Sequence, residues 1–196
     1  IRCGLSGSQL RRYPTAVAWP WPAPDLGWVT AGAPHHWGRK YDVTFQGWRT
    51  PLDLTRRAVD SCTRALDPAR CHLAVYDNFH GYCGPAAGNH REHEIDSPGR
   101  TVNARDGVTR DETLRREAEY RRGLHDAALV LAPQSIVGVP RYRVYEAMSA
   151  GRLPVWVGDD LMLPLPRRVD WSRVAVFVDS REVDDTGEIL RKWLRD

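Results

Sequence analysis

Arg141 and Arg143 stand together in the first turn of one short expected helix, with Glu146 one turn on, and the chemistry the two arginines suggest is the holding of an anion. The stretch around them, residues 138–160 (GVPRYRVYEAMSAGRLPVWVGDD), reads as loop, helix, tight turn and strand. Pro140 suits a first helical turn, where a missing N–H leaves nothing unpaired. Val144, Ala147, Met148 and Gly151 recur at helical spacing as an apolar face, and Gly151 suits a left-handed stop just past the helix. The run LPVWV that follows has the composition of a buried parallel strand. Two guanidinium groups in a first turn, beside free N–H groups and the positive end of the helix dipole, are suited to a phosphate. Tyr142, Glu146 and Ser149 share the face opposite the apolar one. The plainer alternative is an amphipathic helix on which Arg143 and Glu146 form a solvated i,i+3 pair.

Other groupings offer less. NHREHEID brings His90, Glu92, His93 and Glu94 together, but without the H-E-x-x-H spacing or a helical pattern, so a solvated loop is expected rather than a metal site. Asp159-Asp160 reads either as a turn or as a pair of sugar contacts. Asp184-Asp185 reads as turn and helix cap. Cys3, Cys62, Cys71 and Cys83 contain no C-x-x-C pair. They leave open two disulfides, in any of three connectivities, or free buried thiols.

The elements that must position these groups alternate along the chain. Residues 41–46 (YDVTFQ) form an expected first strand, followed by Gly47 and a loop to Asp53, a good N-cap. A helix is expected over 54–66, with Leu54, Ala58, Cys62, Ala65 and Leu66 inward, and a second strand over 72–76. Residues 77–110 read as one long polar loop, of a length that is usually functional. A charged helix over 111–126 turns Leu114, Ala118, Tyr120 or Arg121, and Leu124 to the core. A third strand covers 128–132 and a fifth lies within 171–178. Thr186 caps a last helix whose inner face is Ile189, Leu190, Trp193 and Leu194. This alternation predicts an α/β fold: a doubly wound, mostly parallel five-stranded sheet over 41–196, with right-handed crossovers. Residues 1–40 hold AWPWPAPDLGW, with three prolines and three tryptophans, and read as an extended segment packed on the domain by its indoles. In such sheets ligands lie beyond the carboxyl ends of the strands. That edge gathers residues 46–49, 77–80, 134–143 and 158–160.

Composition narrows the partners. The chain has 196 residues, 42% hydrophobic and 27% charged, enough for one sizeable core. Its 28 basic and 25 acidic residues leave a net charge of +3, mixed along the chain, and no basic stripe alternates with aromatics. Nucleic acid is therefore not an expected partner. No apolar run approaches the roughly 18 residues of a membrane span. The chain starts at Ile1 and carries no signal-peptide pattern, which suggests a processed form or part of a longer protein.

Five segments, in order, resemble the exostosin family of glycosyltransferases. They are Phe45-Gln46-Gly47; Arg56-x2-Val59; Tyr120-x3-Leu124-x-Asp126-Ala127-x2-Val130-x2-Pro133; Arg143-x2-Glu146-Ala147-x3-Gly151-x2-Pro154-Val155; and LPLPRRVDWSRVAVFV with its Asp170-Trp171 pair. The similarity spans residues 40–195. It implies a Rossmann-like domain, the C-terminal half of a GT-B enzyme, which passes sugar from a nucleoside diphosphate sugar to a glycan acceptor with inversion. A UDP-sugar is the favoured donor, and no cofactor or metal is required, since helix dipole and cations neutralise the leaving diphosphate. By position it implies that Arg143 meets the diphosphate and Glu146 the ribose, with Arg141, Gln134, Ser135, Gly138, Gly47, Arg49 and Asp159 completing the nucleotide-sugar site. Arg141 stands where the family usually has Ser.

The general base is not assigned to any residue here, and residues 1–40 are too few to be the acceptor half of such an enzyme. A second catalytic domain or subunit is therefore an expected partner. The family would place the protein in the Golgi or endoplasmic reticulum lumen of a eukaryote, or in the cytoplasm or at the membrane periphery of a bacterium. G-x-x-P-V-x-W-G-like segments also occur in fucosyltransferase-like enzymes that use a GDP-sugar. The third alternative is a non-catalytic nucleotide-sugar-binding or scaffolding half within a glycosyltransferase complex.

Overall fold

The computed structural model describes residues 2–3, 18–19, 39–48, 53–76, 101–103, 108–134, 142–159, 163, 165 and 168–195. Five strands form one all-parallel sheet: β1 Tyr41–Trp48, β2 Cys71–Tyr76, β3 Ala127–Pro133, β4 Leu153–Val157 and β5 Val176–Val178, in the order β2-β1-β3-β4-β5. Helices α1 Leu54–Ala65, α2 Arg110–Asp126, α3 Tyr142–Ser149 and α4 Thr186–Trp193 flank it. The fold is α/β and Rossmann-like, as expected from the alternation of elements.

Alternation within the strands separates the two faces. Val43 and Phe45 of β1, Leu129 and Leu131 of β3, Val155 and Val157 of β4, and Val176 and Val178 of β5 pack with α1 and α4 in the larger core. Their neighbours Val130, Ala132 and Trp156 point the other way, against Tyr120 and Leu124 of α2 and Val144 and Ala147 of α3. The chain therefore runs outward from β1 to β2 with a helix on one face. It then returns past β1 to β3 with a helix on the other. The switch point lies between β1 and β3, and in sheets of this kind the crevice at their carboxyl ends is where ligands bind.

Several local expectations change. Asp53 stands before α1 with a left-handed φ of 56° and makes no side-chain cap. Its carboxylate instead takes Arg56 Nε and Nη2 at 2.9 and 2.8 Å. Thr186 does not cap α4 either. It is the first helical residue, and its hydroxyl donates to Val183 O at 2.7 Å. On α2 the inner residues are Tyr120 and Leu124, whereas Leu114 and Ala118 are exposed. The helix is so charged that its apolar stripe is short, and the phase drawn from Leu114 is misleading. Trp193 is likewise exposed. The stretch 77–110 is not all loop: Thr101–Asn103 pairs antiparallel with Val108–Thr109, and α2 starts at Arg110. Of residues 1–40, Arg2–Cys3 pairs parallel with Ala18–Trp19; apart from these and 39–40, the expected extended segment lies outside the described residues. So do the His90–Glu94 cluster and residues 77–80.

Gly123 brings α2 close to the β1–β2 pair. A Cβ there would lie 2.7 Å from both His72 Nδ1 and Thr44 Oγ1, which are themselves 3.1 Å apart. His72 also stacks on Tyr41 at 5.2 Å. Burial lowers the His72 pKa below its usual value, with Arg122 and Lys40 acting in the same direction and Glu119 and Asp126 opposing. The folded chain then binds fewer protons at this ring than the unfolded chain does. Stability from this residue is therefore present above the unfolded value near 6.5 and is lost as pH falls toward the lower folded value. Urea midpoints measured from about pH 8 to about pH 5 should fall through that window, and His72→Gln should flatten the slope. An unchanged slope in the variant would assign the dependence to other groups.

Candidate functional site

The carboxyl edge of the sheet is knitted by Gln134 and Asp159. Gln134 directly follows β3, is 2% exposed, and donates its backbone N–H to Val157 O at 2.8 Å. Its side-chain amide clamps the backbone of Asp159, with Nε2 to O at 2.9 Å and N–H to Oε1 at 3.0 Å. The Asp159 carboxylate accepts the Ser180 N–H at 2.9 Å and the Ser180 hydroxyl. These two expected ligand residues thus tie β3, β4 and the turn after β5 into one rim. A cleft of about 550 Å³ opens along that rim, lined by Trp156, Gly158, Asp159, Phe177, Val178, Asp179, Ser180 and Arg181. Arg181 is held by Asp179 through Nε and Nη2 at 2.8 and 2.9 Å, which keeps the Asp179 carboxyl down at about 2.

Helix α3 carries the other half of the site. Arg143, Val144, Glu146 and Ala147 are all buried, whereas Met148 is 37% exposed. The inner arc is therefore rotated from the one expected: it includes the charged pair and leaves Met148 out. With Arg143 8% and Glu146 2% exposed, the solvated-pair alternative is excluded. Gly151 follows with φ 67°, the expected left-handed stop.

Arg143 Nη2 donates to the carbonyl of Gln46 at 2.8 Å. The guanidinium carbon lies 4.6 Å from the centre of the Phe45 ring and 5.6 Å from that of Tyr120. Phe45 belongs to the α1 face and Tyr120 to the α2 face, so the guanidinium sits over the sheet edge where β1 and β3 diverge. Gly47 makes room for it: a Cβ there would be 2.9 Å from Arg143 Nη2 and 2.8 Å from Phe45 Cζ. The Tyr120 hydroxyl donates to Glu146 Oε2 at 2.5 Å. Gly47, Arg143 and Glu146, assigned from distant parts of the sequence, are thereby brought together. Arg49, Ser135, Gly138 and Arg141 lie outside the described residues.

Phe45 and Tyr120 were not assigned as site residues, and Gln46 was placed only at the sheet's ligand edge. All three lie within the quoted motifs, but only the three-dimensional arrangement shows that they cradle Arg143 and Glu146. Gln46 is itself fixed from α2, donating Nε2 to Arg116 O at 2.8 Å. Burial pushes the Cys62 and Cys71 thiols up to about 12 and about 11, and the Tyr145 phenol up to about 12. None of the three is suited to act as a base or nucleophile near neutrality. Both cysteines are free thiols, while the side chain of Cys3 and all of Cys83 lie outside the described residues. Among the described residues no group of three or more His, Cys, Asp or Glu gathers as a metal cage, and no helix is long and apolar enough to cross a membrane.

Gly47→Ala separates the site from the fold. Its methyl group would strike the far end of the Arg143 side chain, which can move, and the tip of the buried Phe45 ring. Stability should fall by about 1–3 kcal/mol. If this edge holds a diphosphate, as the sequence leads one to expect, the displaced guanidinium should weaken its binding by about tenfold, as for a lost charge-assisted hydrogen bond. Urea denaturation and calorimetric titration of the same preparation test the split. Unaltered affinity would show that the position of Arg143 does not matter to the ligand.

No protein-family model matches the chain, and no curated protein does.

Proposed function

We propose that residues 41–196 bind a nucleoside diphosphate sugar, a UDP-sugar first, as the donor half of an exostosin-like inverting glycosyltransferase acting on a glycan acceptor. The buried guanidinium of Arg143 at the β1/β3 switch point is the observation that carries this reading. A cation so placed, on the first turn of a helix and at the ligand crevice of a doubly wound sheet, suits a diphosphate. Glu146, one turn further along α3, is assigned to the ribose hydroxyls in this reading. The heterocycle extends along the rim toward the cleft at Gly158 and Phe177, which lies two to three strand spacings, about 10–14 Å, from β1.

Displacement at the anomeric carbon needs charge stabilisation on the leaving diphosphate, an oriented acceptor hydroxyl and a base. This reading assigns the first to α3 and the other two to a second domain or subunit, in whichever compartment the glycan is built. The test is calorimetric titration with UDP, GDP and their sugars, followed by assay of nucleoside diphosphate release with and without oligosaccharide acceptors. Binding in the micromolar to millimolar range is expected, with no acceptor-dependent turnover by these residues alone. Absence of binding by every nucleoside diphosphate would overturn the reading. Turnover near 1 per second or faster, an ordinary enzymatic rate, would place base and acceptor site within this chain.

A further inference from the structure

We infer that Tyr120 is a positioning residue that serves the two halves of the α3 site separately: its hydroxyl orients Glu146 and its ring supports Arg143. The inference rests on the nucleotide reading above and names a device within it. Tyr120 is 6% exposed and comes from α2, 26 residues away from Glu146, so local helix geometry does not explain the contact. Its phenol donates to Glu146 Oε2 at 2.5 Å, a short bond of the charge-assisted kind. The same ring lies 5.6 Å from the guanidinium carbon of Arg143, within the range of a cation–π contact.

The ring is anchored by the rest of its cluster, Leu124, Val130 and Ala147, so its position follows from the core. One side chain therefore touches both charged groups through chemically different ends. Removing the hydroxyl alone takes one anchor from the carboxylate but leaves the aromatic face in place. Removing the ring loosens both.

The experiment titrates wild type, Tyr120→Phe and Tyr120→Leu with inorganic pyrophosphate, UDP and 2′-deoxy-UDP. Wild type is expected to prefer UDP over the deoxy form by about tenfold, because a buried acceptor loses its partner. In Tyr120→Phe that ratio should collapse to about twofold or less, with pyrophosphate affinity unchanged. In Tyr120→Leu pyrophosphate affinity should also fall, by about fivefold, the size of a partly buried cation–π contact. Tyr120→Phe in a Glu146→Ala background should have no further effect on the ratio, which a general loss of stability does not reproduce. Thermal melts on each variant record folding independently.

A Tyr120→Phe protein that keeps the full ratio overturns the inference while the nucleotide reading stands. So does a wild type that binds pyrophosphate and UDP but does not distinguish UDP from its deoxy form. A wild type that binds neither pyrophosphate nor UDP overturns the nucleotide reading and the inference with it.

Discussion

Arg143→Ala is expected to weaken nucleoside diphosphate binding by about 2–4 kcal/mol, some thirtyfold to several hundredfold. The size follows from burial. A guanidinium 8% exposed would meet a ligand oxyanion with little water between them, whereas a surface arginine in the same sequence would be worth a few tenths of that. Truncation also removes the bond to Gln46 O and the stacking on Phe45, so a loss of stability of about 1–3 kcal/mol is expected in the absence of ligand. Arg143→Lys should recover only part of the affinity, since an ammonium supplies a point charge without the planar fork. Arg191→Ala is the control: Arg191 pairs with Glu188 on α4, on the opposite face of the sheet, and should leave affinity unchanged. Calorimetry giving equal affinities for wild type and Arg143→Ala would remove Arg143 from the site.

Much of the fold was legible because each strand of the main sheet is an apolar or alternating run with its own boundaries. The expected span of β4 matches the observed strand, and β1 runs two residues longer than expected, through Gly47 to Trp48. The phase of the helices was less legible. On α3 a face drawn through Met148 looked apolar, yet the sheet accepts Arg143 and Glu146 because Gly47 leaves space and Tyr120 supplies a partner. That compensation comes from residues 26 to 97 positions away, which no local periodicity records. Caps failed for a local reason. Asp53 and Thr186 are good cap types, but Arg56 and Val183 O engage their side chains instead. That Gly47, Gln134 and Asp159 share the carboxyl edge of the sheet was readable. The division between Arg143 and Glu146, which engage Gln46 O and the Tyr120 hydroxyl, and Gln134 and Asp159, which hold the rim together, was not.

That rim sets up the second large effect. Gly158→Ala is expected to destabilise the fold by about 3–5 kcal/mol, from two sources of similar size. The first is conformational: Gly158 has φ 148°, where a side chain is rarely tolerated, and such strain costs about 1–3 kcal/mol. The second is steric. A Cβ at this position would lie 2.5 Å from both Cβ and Oε1 of Gln134, a residue buried under the rim and unable to swing aside without breaking its clamp on Asp159. Overpacking of this kind costs about 1–3 kcal/mol.

The amide's share of the clash can be separated from the rest, because Gln134→Ala removes the amide but leaves both the backbone strain and the Cβ contact. Gln134→Ala alone should cost about 1–3 kcal/mol for the lost amide bonds. The double variant should be more stable than the sum of the singles by about 1 kcal/mol, since the amide can be lost only once. Urea denaturation of the four proteins measures this directly. Gly158→Ala within about 1 kcal/mol of wild type would mean that the turn after β4 relaxes freely, and that Gln134 and Asp159 do not hold the edge on which the ligand site is built.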